Sequence, residues 1–260
     1  MHRCIEFVLS VSGRGETFMN LKQDDYKLFL QEQFKKIGIS LSELQVFQFL
    51  SYYELLIEKN KVMNLTAITE FEDVVQKHFI DSALLLSEET QSFHTVIDVG
   101  TGAGFPGIPL NILRPDLEVL LLDSLNKRVL FLKDVIKQLN LQNVTAIHAR
   151  AEEAACDSKY REKFDFCVSR AVANLSSLSE YCLPFVKRGG YFVSYKSSSV
   201  EQECSDAKKA IYLLGGTMQD IRKVSIPDKD IERSLVFIKK ERGTPAKYPR
   251  KAGIPAKNPL

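Results

Sequence analysis

The segment from Val96 to Gly107 constrains the fold more than any other part of the chain. A short apolar run ends at Asp98 and is followed by four glycines, Gly100, Gly102, Gly104 and Gly107. This pattern predicts a buried strand that runs into a glycine turn and then opens a helix. Because glycine has no Cβ, the backbone of such a turn can approach a ligand closely. The segment therefore predicts a nucleotide-type cofactor site.

The same glycines satisfy two cofactor-binding patterns. Gly102, Gly104 and Gly107 match the G-x-G-x-x-G of dinucleotide-binding enzymes. Asp98, Gly100, Gly102 and Gly104 match the acid-x-G-x-G-x-G of enzymes that use S-adenosylmethionine (AdoMet). The turn alone leaves both interpretations open, so the order of the remaining motifs has to decide between them.

Composition predicts an ordinary globular protein. The 260 residues are 45% hydrophobic and 26% charged, enough for one sizeable α/β domain with an appendage. The five cysteines are widely spaced and form no C-x-x-C, which indicates a cytoplasmic protein without structural disulfides. No histidine lies at metal-ligand spacing from a cysteine, so we expect no metal. No stretch approaches the ~18 apolar residues of a membrane helix.

The first part of the chain has helical periodicity. Apolar residues recur at three-to-four spacing from Asp24 to Lys59, and a further helix is predicted from Glu72 to Leu86. We expect residues 19–92 to form a helical cap on the part that follows. Met19 begins a polar, helix-starting segment, so residues 1–18 are expected to be a non-native or disordered extension.

From Thr95 onward strands and helices alternate, which predicts a doubly wound, mostly parallel seven-stranded sheet in residues 93–240. The predicted strands are 95–99, 119–123, 144–148, 164–169, 191–195, 218–224 and 235–239, and the predicted helices are 107–113, 127–139, 175–186 and 199–214. The last two strands are joined without a helical pattern, which suggests a closing antiparallel hairpin. That ending is typical of Rossmann-like class I AdoMet-dependent methyltransferases and is not expected of a dinucleotide-binding fold.

Polar residues follow the predicted strands in succession. Asp123 ends the second strand and could accept hydrogen bonds from ribose hydroxyls. Ala151 and Glu152 follow the third strand, where a backbone N–H and a carboxylate can bind the edge of an adenine. Arg170 follows the fourth; because a guanidinium beside a sulfonium is unfavourable, it should face the cofactor carboxylate or an RNA phosphate. The alternative roles are a helix N-cap for Asp123 and a solvated helical turn for Glu152.

The residues after the fourth strand also limit the chemistry. Methylation of an exocyclic amine typically employs an Asn/Asp-Pro-Pro-aromatic turn, but the chain has Ser169-Arg170-Ala171-Val172 there. Methylation of a pyrimidine carbon needs a cysteine nucleophile, and no Pro-Cys turn exists. A ring nitrogen such as guanine N7 needs only positioning. We therefore assign Asp98, Asp123 and Glu152 to binding, assign no general base, and keep Arg170 as the one catalytic candidate.

The C-terminal end is basic. Between residues 239 and 260 seven basic residues face one acid, so this end carries +6 and leaves −4 on the other 238 residues of a chain with net charge +2. We expect residues 241–260 to form a basic, proline-rich tail. Such an end points to a polyanion partner, although a solvated tail without a role is an equal alternative.

These motifs together closely resemble the RsmG (GidB) family. The resemblance rests on the glycine turn and on segments 64–68, 78–82, 123–128, 148–152, 169–173 and 244–253, which read NLTAI, HFIDS, DSLNKR, HARAE, SRAVA and TPAKYPRKAG. It extends from about Met19 to the C-terminus. Two departures stand out: the chain has no tryptophan, with Glu58-Lys59-Asn60 where many relatives place Trp-Asn, and residues 1–18 find no counterpart.

The resemblance implies a bacterial cytoplasmic enzyme that transfers a methyl group from AdoMet to N7 of one guanine in the 530 loop of 16S ribosomal RNA. It implies cofactor contacts at Gly100, Phe105, Asp123, Ser124, Leu125, Ala151, Glu152 and Arg170. The basic end then becomes an RNA-binding segment, with contacts at Lys247, Tyr248, Arg250 and Lys251. We expect a monomer that acts on 16S rRNA or the small ribosomal subunit. The alternatives are an NAD(P)-dependent oxidoreductase and a non-catalytic rRNA-binding assembly factor.

Overall fold

The computed structural model describes residues 13–86, 93–170, 173–197 and 199–260, with side chains from residue 24 onward. These residues form a seven-stranded sheet in the order β3-β2-β1-β4-β5-β7-β6. The strands are β1 (Thr95–Val99), β2 (Glu118–Asp123), β3 (Val144–His148), β4 (Phe164–Arg170), β5 (Val186–Ser197), β6 (Gly216–Ser225) and β7 (Glu232–Lys240).

Strand directions confirm the predicted fold class. The strands β1 to β5 run parallel to one another, whereas β7 is antiparallel to both β5 and β6. The chain moves outward from β1 through β2 to β3 and then crosses back to β4 on the other side of β1. In a doubly wound sheet, ligands bind in the crevice beyond the carboxyl ends of the strands at such a reversal. The sites described below lie at that edge.

Helices flank the sheet on both faces. They are α1 (Gly13–Lys36), α2 (Glu43–Met63), α3 (Phe71–Val74), α4 (Asp81–Ala83), α5 (Gly107–Leu113), α6 (Asn126–Gln138), α7 (Ala151–Ala154), α8 (Leu175–Cys182), α9 (Glu201–Leu213) and α10 (Ile254–Lys257). A π-helical segment, Val75–Ile80, joins α3 to α4, so the predicted helix from Glu72 to Leu86 is not a continuous α-helix. No helix in the described part of the chain is long and apolar enough to cross a membrane.

The two faces of the sheet have separate cores, because successive strand side chains point to opposite faces. On β2, Val119 and Leu121 pack with the N-terminal helices, α5 and α6. Leu120 and Leu122 pack in the second core, with α7, α8 and α9. The buried apolar runs that predicted these strands are thus buried on both sides, as expected for a parallel sheet.

The N-terminal helices share the first core with the sheet. Phe34 of α1 and Phe49 of α2 are fully buried in one cluster with Val96 and Phe166 of the strands. A capping box at Ser42 begins α2, which extends past the predicted end at Lys59. The helix α1 begins at Gly13, inside the predicted extension 1–18; residues 1–12 of that extension lie outside the described residues. The prediction that it is non-native remains untested.

Candidate active site

The glycine turn follows β1 with three left-handed residues. Gly100, Gly102 and Gly104 have φ of 72°, 62° and 106°. A Cβ at Gly104 would lie 2.5 Å from Ile108 Cδ1 and 2.6 Å from the Tyr52 hydroxyl oxygen, whereas nothing lies within 4 Å of a Cβ at Gly102. Gly104 is therefore needed for packing, and Gly102 leaves open space beside the backbone.

Asp98 holds this turn in place from inside the protein. Its Oδ2 accepts hydrogen bonds from the Thr101 hydroxyl (2.7 Å) and the Gly107 N–H (2.8 Å). Its Oδ1 is buried and makes no hydrogen bond. Burial raises the pKa of Asp98 to about 6, although these hydrogen bonds and the positive charge of Arg170 lower it. Asp98 thus combines a structural role with one unused acceptor.

Asp123 joins the turn to the end of β2. Its Oδ2 accepts a hydrogen bond from Gly102 N–H at 2.9 Å, and Oδ1 accepts one from Leu125 N–H at 2.8 Å. Arg128 approaches Oδ2 at 3.4 Å. Asp123 is not the N-cap of α6, because that position is held by Leu125. A carboxylate has about four lone-pair positions, and these bonds leave some of them for a ligand.

A cavity of about 230 Å³ lies at the carboxyl ends of β1, β2 and β3. Four of the predicted cofactor contacts line it: Gly100, Ser124, Ala151 and Glu152. The remaining lining residues are Val99, Leu122, Ala149, Arg150, Ala173, Tyr181 and Ala256. A mostly apolar lining with a tyrosine ring, one carboxylate and one arginine fits a nucleoside, which needs close approach and few polar contacts. We refer to this space as the nucleoside cavity.

Glu152 has a partner that the sequence did not indicate. Its side chain is 5% exposed and its Oε1 accepts a hydrogen bond from Gly253 N–H at 2.9 Å, in the C-terminal segment. Arg150 Nη2 lies 3.6 Å from the same oxygen. Glu152 is therefore not a solvated residue of a first helical turn.

Arg170 faces the N-terminal helices. Its Nη1 lies 2.8 Å from Asp81 Oδ2 and also donates a hydrogen bond to the Lys77 carbonyl oxygen. The guanidinium lies over the Phe105 ring, 5.1 Å from its centroid. The sequence left open whether this arginine meets cofactor or RNA; in the structure it joins Phe105, after the glycine turn, to the cap.

A second cavity, of about 330 Å³, lies beyond Arg170. Its lining carries four cationic side chains and one carboxylate: Lys77, Arg170, Lys196, Arg233 and Asp81. Ile68, His78, Tyr195 and Ser197 complete the lining. We call this space the cationic cavity. Its cations suit an anionic ligand, and its aromatic ring and histidine suit a flat one.

Asp81 organises the charges of the cationic cavity. The carboxylate is 1% exposed, with Arg170 on Oδ2 and Arg233 Nε on Oδ1 at 3.0 Å. Three of these residues were not among the site residues that the sequence predicted: Asp81, Lys196 and Arg233. Arg233 lies opposite Ser197 in the β5–β7 register, so an antiparallel strand brings its first residues to the carboxyl edge of the sheet. The site is formed by the pairing of β7 with β5, which no local sequence pattern indicates.

His78 connects the cap with the glycine turn. Its Nε2 lies 2.9 Å from Thr66 Oγ1, and its Nδ1 lies 3.2 Å from Arg170 Nη2. Burial, helped by the positive charge of Arg170, lowers the pKa of His78 to about 3. The histidine is therefore neutral at physiological pH. It belongs to the π-helical segment, a geometry frequent at functional sites.

The predicted RNA contacts divide into two pairs. Lys247 and Lys251 are exposed. Tyr248 is only 6% exposed and packs in the second core, and Arg250 Nη2 lies 2.7 Å from Glu180 Oε2, which is buried. Residues 244–258 are thus packed against the domain, which differs from the tail that the prolines and charges predicted. The described residues contain no cluster of three or more acidic, histidine or cysteine side chains suited to a metal.

The sequence of this chain matches a known protein family. A model of the family described as rRNA small subunit methyltransferase G (GidB) matches residues 45–235. The Ribosomal RNA small subunit methyltransferase G of Lachnoclostridium phytofermentans is 53% identical over 237 residues, covering 91% of this chain and 98% of that protein. The protein of the same name from Desulforamulus reducens is 52% identical over 238 residues, covering 91% and 99%.

Solved structures share the fold at low sequence identity. The YcgJ protein from Bacillus subtilis superimposes with a TM-score of 0.51 and 13% identity, covering 64% of this chain and 100% of that one. The match supports the same strand arrangement and carries no information on substrate.

Proposed function

Because the chain belongs to the family of rRNA small subunit methyltransferase G, it is an AdoMet-dependent methyltransferase of small-subunit rRNA, and we propose that its acceptor is N7 of one guanine in the 530 loop. Membership of this family sets aside the oxidoreductase alternative. AdoMet, when bound, supplies an electrophilic methyl carbon on a sulfonium. What remains for the protein is to place the acceptor lone pair in line with that carbon.

The proposal rests on two cavities whose linings are joined by a hydrogen bond from Lys196 Nζ to the Ala173 carbonyl oxygen at 2.8 Å. Gly100 borders the nucleoside cavity, and Phe105, five residues later, contacts His78 and Arg170 of the cationic cavity. A cofactor in the first and a nucleotide in the second would therefore meet at the glycine turn. This arrangement is the observation on which the proposed roles depend.

The groups of the cationic cavity favour an acceptor that needs no base. Asp81 is the carboxylate of its lining, and two arginines occupy its two oxygens. The neutral His78 has both ring nitrogens within hydrogen-bond distance of protein atoms. The lining contains no cysteine for covalent attack on a pyrimidine carbon. A guanine N7 lone pair requires none of these groups.

For AdoMet we propose the contacts that the sequence indicated. The lining of the nucleoside cavity would hold the adenosine part, through Gly100, Ser124, Ala151 and Glu152. Asp98, Gly102, Gly104, Phe105, Asp123 and Leu125 would shape the turn and its rim. Asp98 would act by holding the turn through Thr101 and Gly107. We propose Arg170 as a positioning residue that fixes Phe105.

For rRNA we propose that the target nucleotide enters the cationic cavity. Arg233 and Lys196 would hold a phosphate, while the base lies against His78 or Tyr195. Lys247 and Lys251 are exposed and remain proposed contacts to the RNA backbone. We further propose a monomer in the cytoplasm.

The direct test maps N7-methylguanine in 16S rRNA from cells with and without the gene. We expect one guanine of the 530 loop to lose its methyl group, and the purified protein to restore it with labelled AdoMet. Methylation at another atom or another loop would overturn the proposal. Binding of rRNA without methyl transfer would instead support the assembly-factor alternative.

A further inference from the structure

A buried carboxylate on α8 is paired with the C-terminal segment. Glu180 is 0% exposed. Its oxygens accept hydrogen bonds from three N–H groups of one residue: Arg250 main-chain N (2.7 Å), Nε (3.0 Å) and Nη2 (2.7 Å). A carboxylate removed from water is costly unless it is paired with this kind of geometry. Glu180 therefore fixes where Arg250 lies.

The segment after Arg250 leads directly to the nucleoside cavity. Three residues later, Gly253 donates its N–H to Glu152, and the Pro255 carbonyl oxygen accepts a hydrogen bond of 2.7 Å from the Ser177 hydroxyl. Ala256 then contributes to the cavity lining, as does Tyr181, which is next to Glu180 on α8. Seven residues of chain, 250–256, thus contain the ion pair of Arg250, the Glu152 contact of Gly253 and the lining residue Ala256.

Upstream contacts hold the same segment. Arg161 donates hydrogen bonds to the carbonyl oxygens of Thr244 (2.8 Å) and Tyr248 (3.0 Å). Lys240, whose side chain is fully buried, donates to the Leu183 carbonyl oxygen at 2.6 Å and contacts the Thr244 hydroxyl. The segment is thus fastened at each end of residues 244–256.

We propose that residues 250–256 form one wall of the AdoMet site and that the Glu180–Arg250 ion pair is its positioning element. The guanidinium of Arg250 is committed to Glu180, so its contribution to the reaction is to the cofactor rather than to RNA. The inference rests on the proposed placement of AdoMet in the nucleoside cavity. Arg250, which the sequence predicted as an RNA contact, thereby takes a role in cofactor binding, whereas the exposed Lys251 keeps its proposed RNA contact.

The test measures cofactor and RNA affinity separately. Calorimetry with S-adenosylhomocysteine and filter binding with small ribosomal subunits would be applied to the wild type, Glu180→Gln and Ala256→Phe. Glu180→Gln removes the charge that fixes Arg250. Ala256→Phe adds bulk to the lining at an exposed position, where little effect on folding is expected. The matched controls are Glu241→Gln and Arg242→Ala, exposed residues of the preceding segment.

Glu180→Gln should raise the Kd for S-adenosylhomocysteine by about tenfold, as loss of one charge-assisted contact would. Ala256→Phe should raise it at least as much, because the larger side chain takes up space in the cavity. The affinity of both variants for ribosomal subunits should stay unchanged. Both control variants should bind S-adenosylhomocysteine and ribosomal subunits as the wild type does. Unchanged Kd in folded Ala256→Phe would overturn the inference, as would lost subunit binding with normal cofactor binding. If Glu180→Gln does not fold, Ala256→Phe decides. A wild type that does not bind S-adenosylhomocysteine would overturn the proposed function instead.

Discussion

The ring of His78 stacks on the ring of Phe105, with centroids 4.6 Å apart and an interplanar angle of 24°. One residue belongs to the π-helical segment of the cap and the other follows the glycine turn. The contact therefore joins a residue of the cationic cavity to the glycine turn. We expect a substitution at either His78 or Phe105 to shift the other residue as well.

Arg233→Ala should weaken the binding of small ribosomal subunits without affecting cofactor binding. If Arg233 holds a phosphate, the slope of log affinity against log salt should fall by about one. Filter binding over a salt series measures this slope, and calorimetry with S-adenosylhomocysteine measures the cofactor. Arg188→Ala, an exposed arginine at the opposite end of β5, is the control. An unchanged slope would remove Arg233 from the substrate site.

Two glycine substitutions should separate packing from ligand approach. Gly104→Ala should destabilise the fold strongly, because its Cβ would overlap Ile108 and Tyr52. Gly102→Ala meets no atom within 4 Å and should cost only about 1–2 kcal/mol for its left-handed backbone, yet weaken cofactor binding. Gly38→Ala is a matched control, with φ of 78° and open space outside the site. Equal cofactor affinity in the Gly102 and Gly38 variants would contradict the proposed contact.

His78 should make the fold sensitive to acid. Its pKa is about 3 in the folded protein against 6.5 ordinarily, so below pH 6.5 the unfolded chain binds the extra proton. Stability from this group is complete above pH 6.5 and is lost as the pH falls toward 3, by up to about 1.4 kcal/mol per pH unit.

His78→Gln should therefore flatten the dependence of the unfolding free energy on pH between 7 and 5. Urea denaturation at several pH values measures it. His94→Gln, which changes an exposed histidine, should keep the wild-type slope. If the slopes of the wild type and His78→Gln coincide, the depressed pKa has no bearing on stability.

The double variant Lys247→Ala and Lys251→Ala should lose affinity for ribosomal subunits and retain affinity for S-adenosylhomocysteine. Two exposed cations that meet phosphates would reduce the salt slope by about two. The equivalent change on α9, Lys208→Ala with Lys209→Ala, removes the same charge elsewhere. A similar loss in both double variants would indicate that only overall charge matters.

The strands β1 to β4 were predictable because each is a short run rich in apolar residues. The predicted β5 began at Tyr191, whereas the strand begins at Val186 and contains Gly189 and Gly190. A Cβ at Gly190 would lie 2.4 Å from the Asp165 carbonyl oxygen, so this glycine permits close strand pairing and does not mark a turn. Glycine occurs both in turns and in closely paired strands, so the sequence alone does not distinguish the two.

The nucleoside cavity was foreseeable in part because its residues follow strands in sequence order. The cationic cavity was not foreseeable, because Asp81, Lys196 and Arg233 come from a cap helix and two strands that are far apart in the sequence. Nor did the charge of the C-terminal end indicate that Arg250 would be paired with Glu180, seventy residues earlier. Pairing of this kind depends on tertiary contacts that have no local pattern.

The core that α1 and α2 share with the strands limits how the enzyme can be shortened. A fragment beginning at residue 93 would keep every strand but expose the surface that Phe34, Phe49 and Tyr52 now cover. Tyr52 also donates a hydrogen bond to the Ala103 carbonyl oxygen at 2.5 Å, so the glycine turn of the fragment would lose this hydrogen bond. Such a fragment is expected to aggregate, and attempts to engineer a minimal catalytic unit should retain both helices.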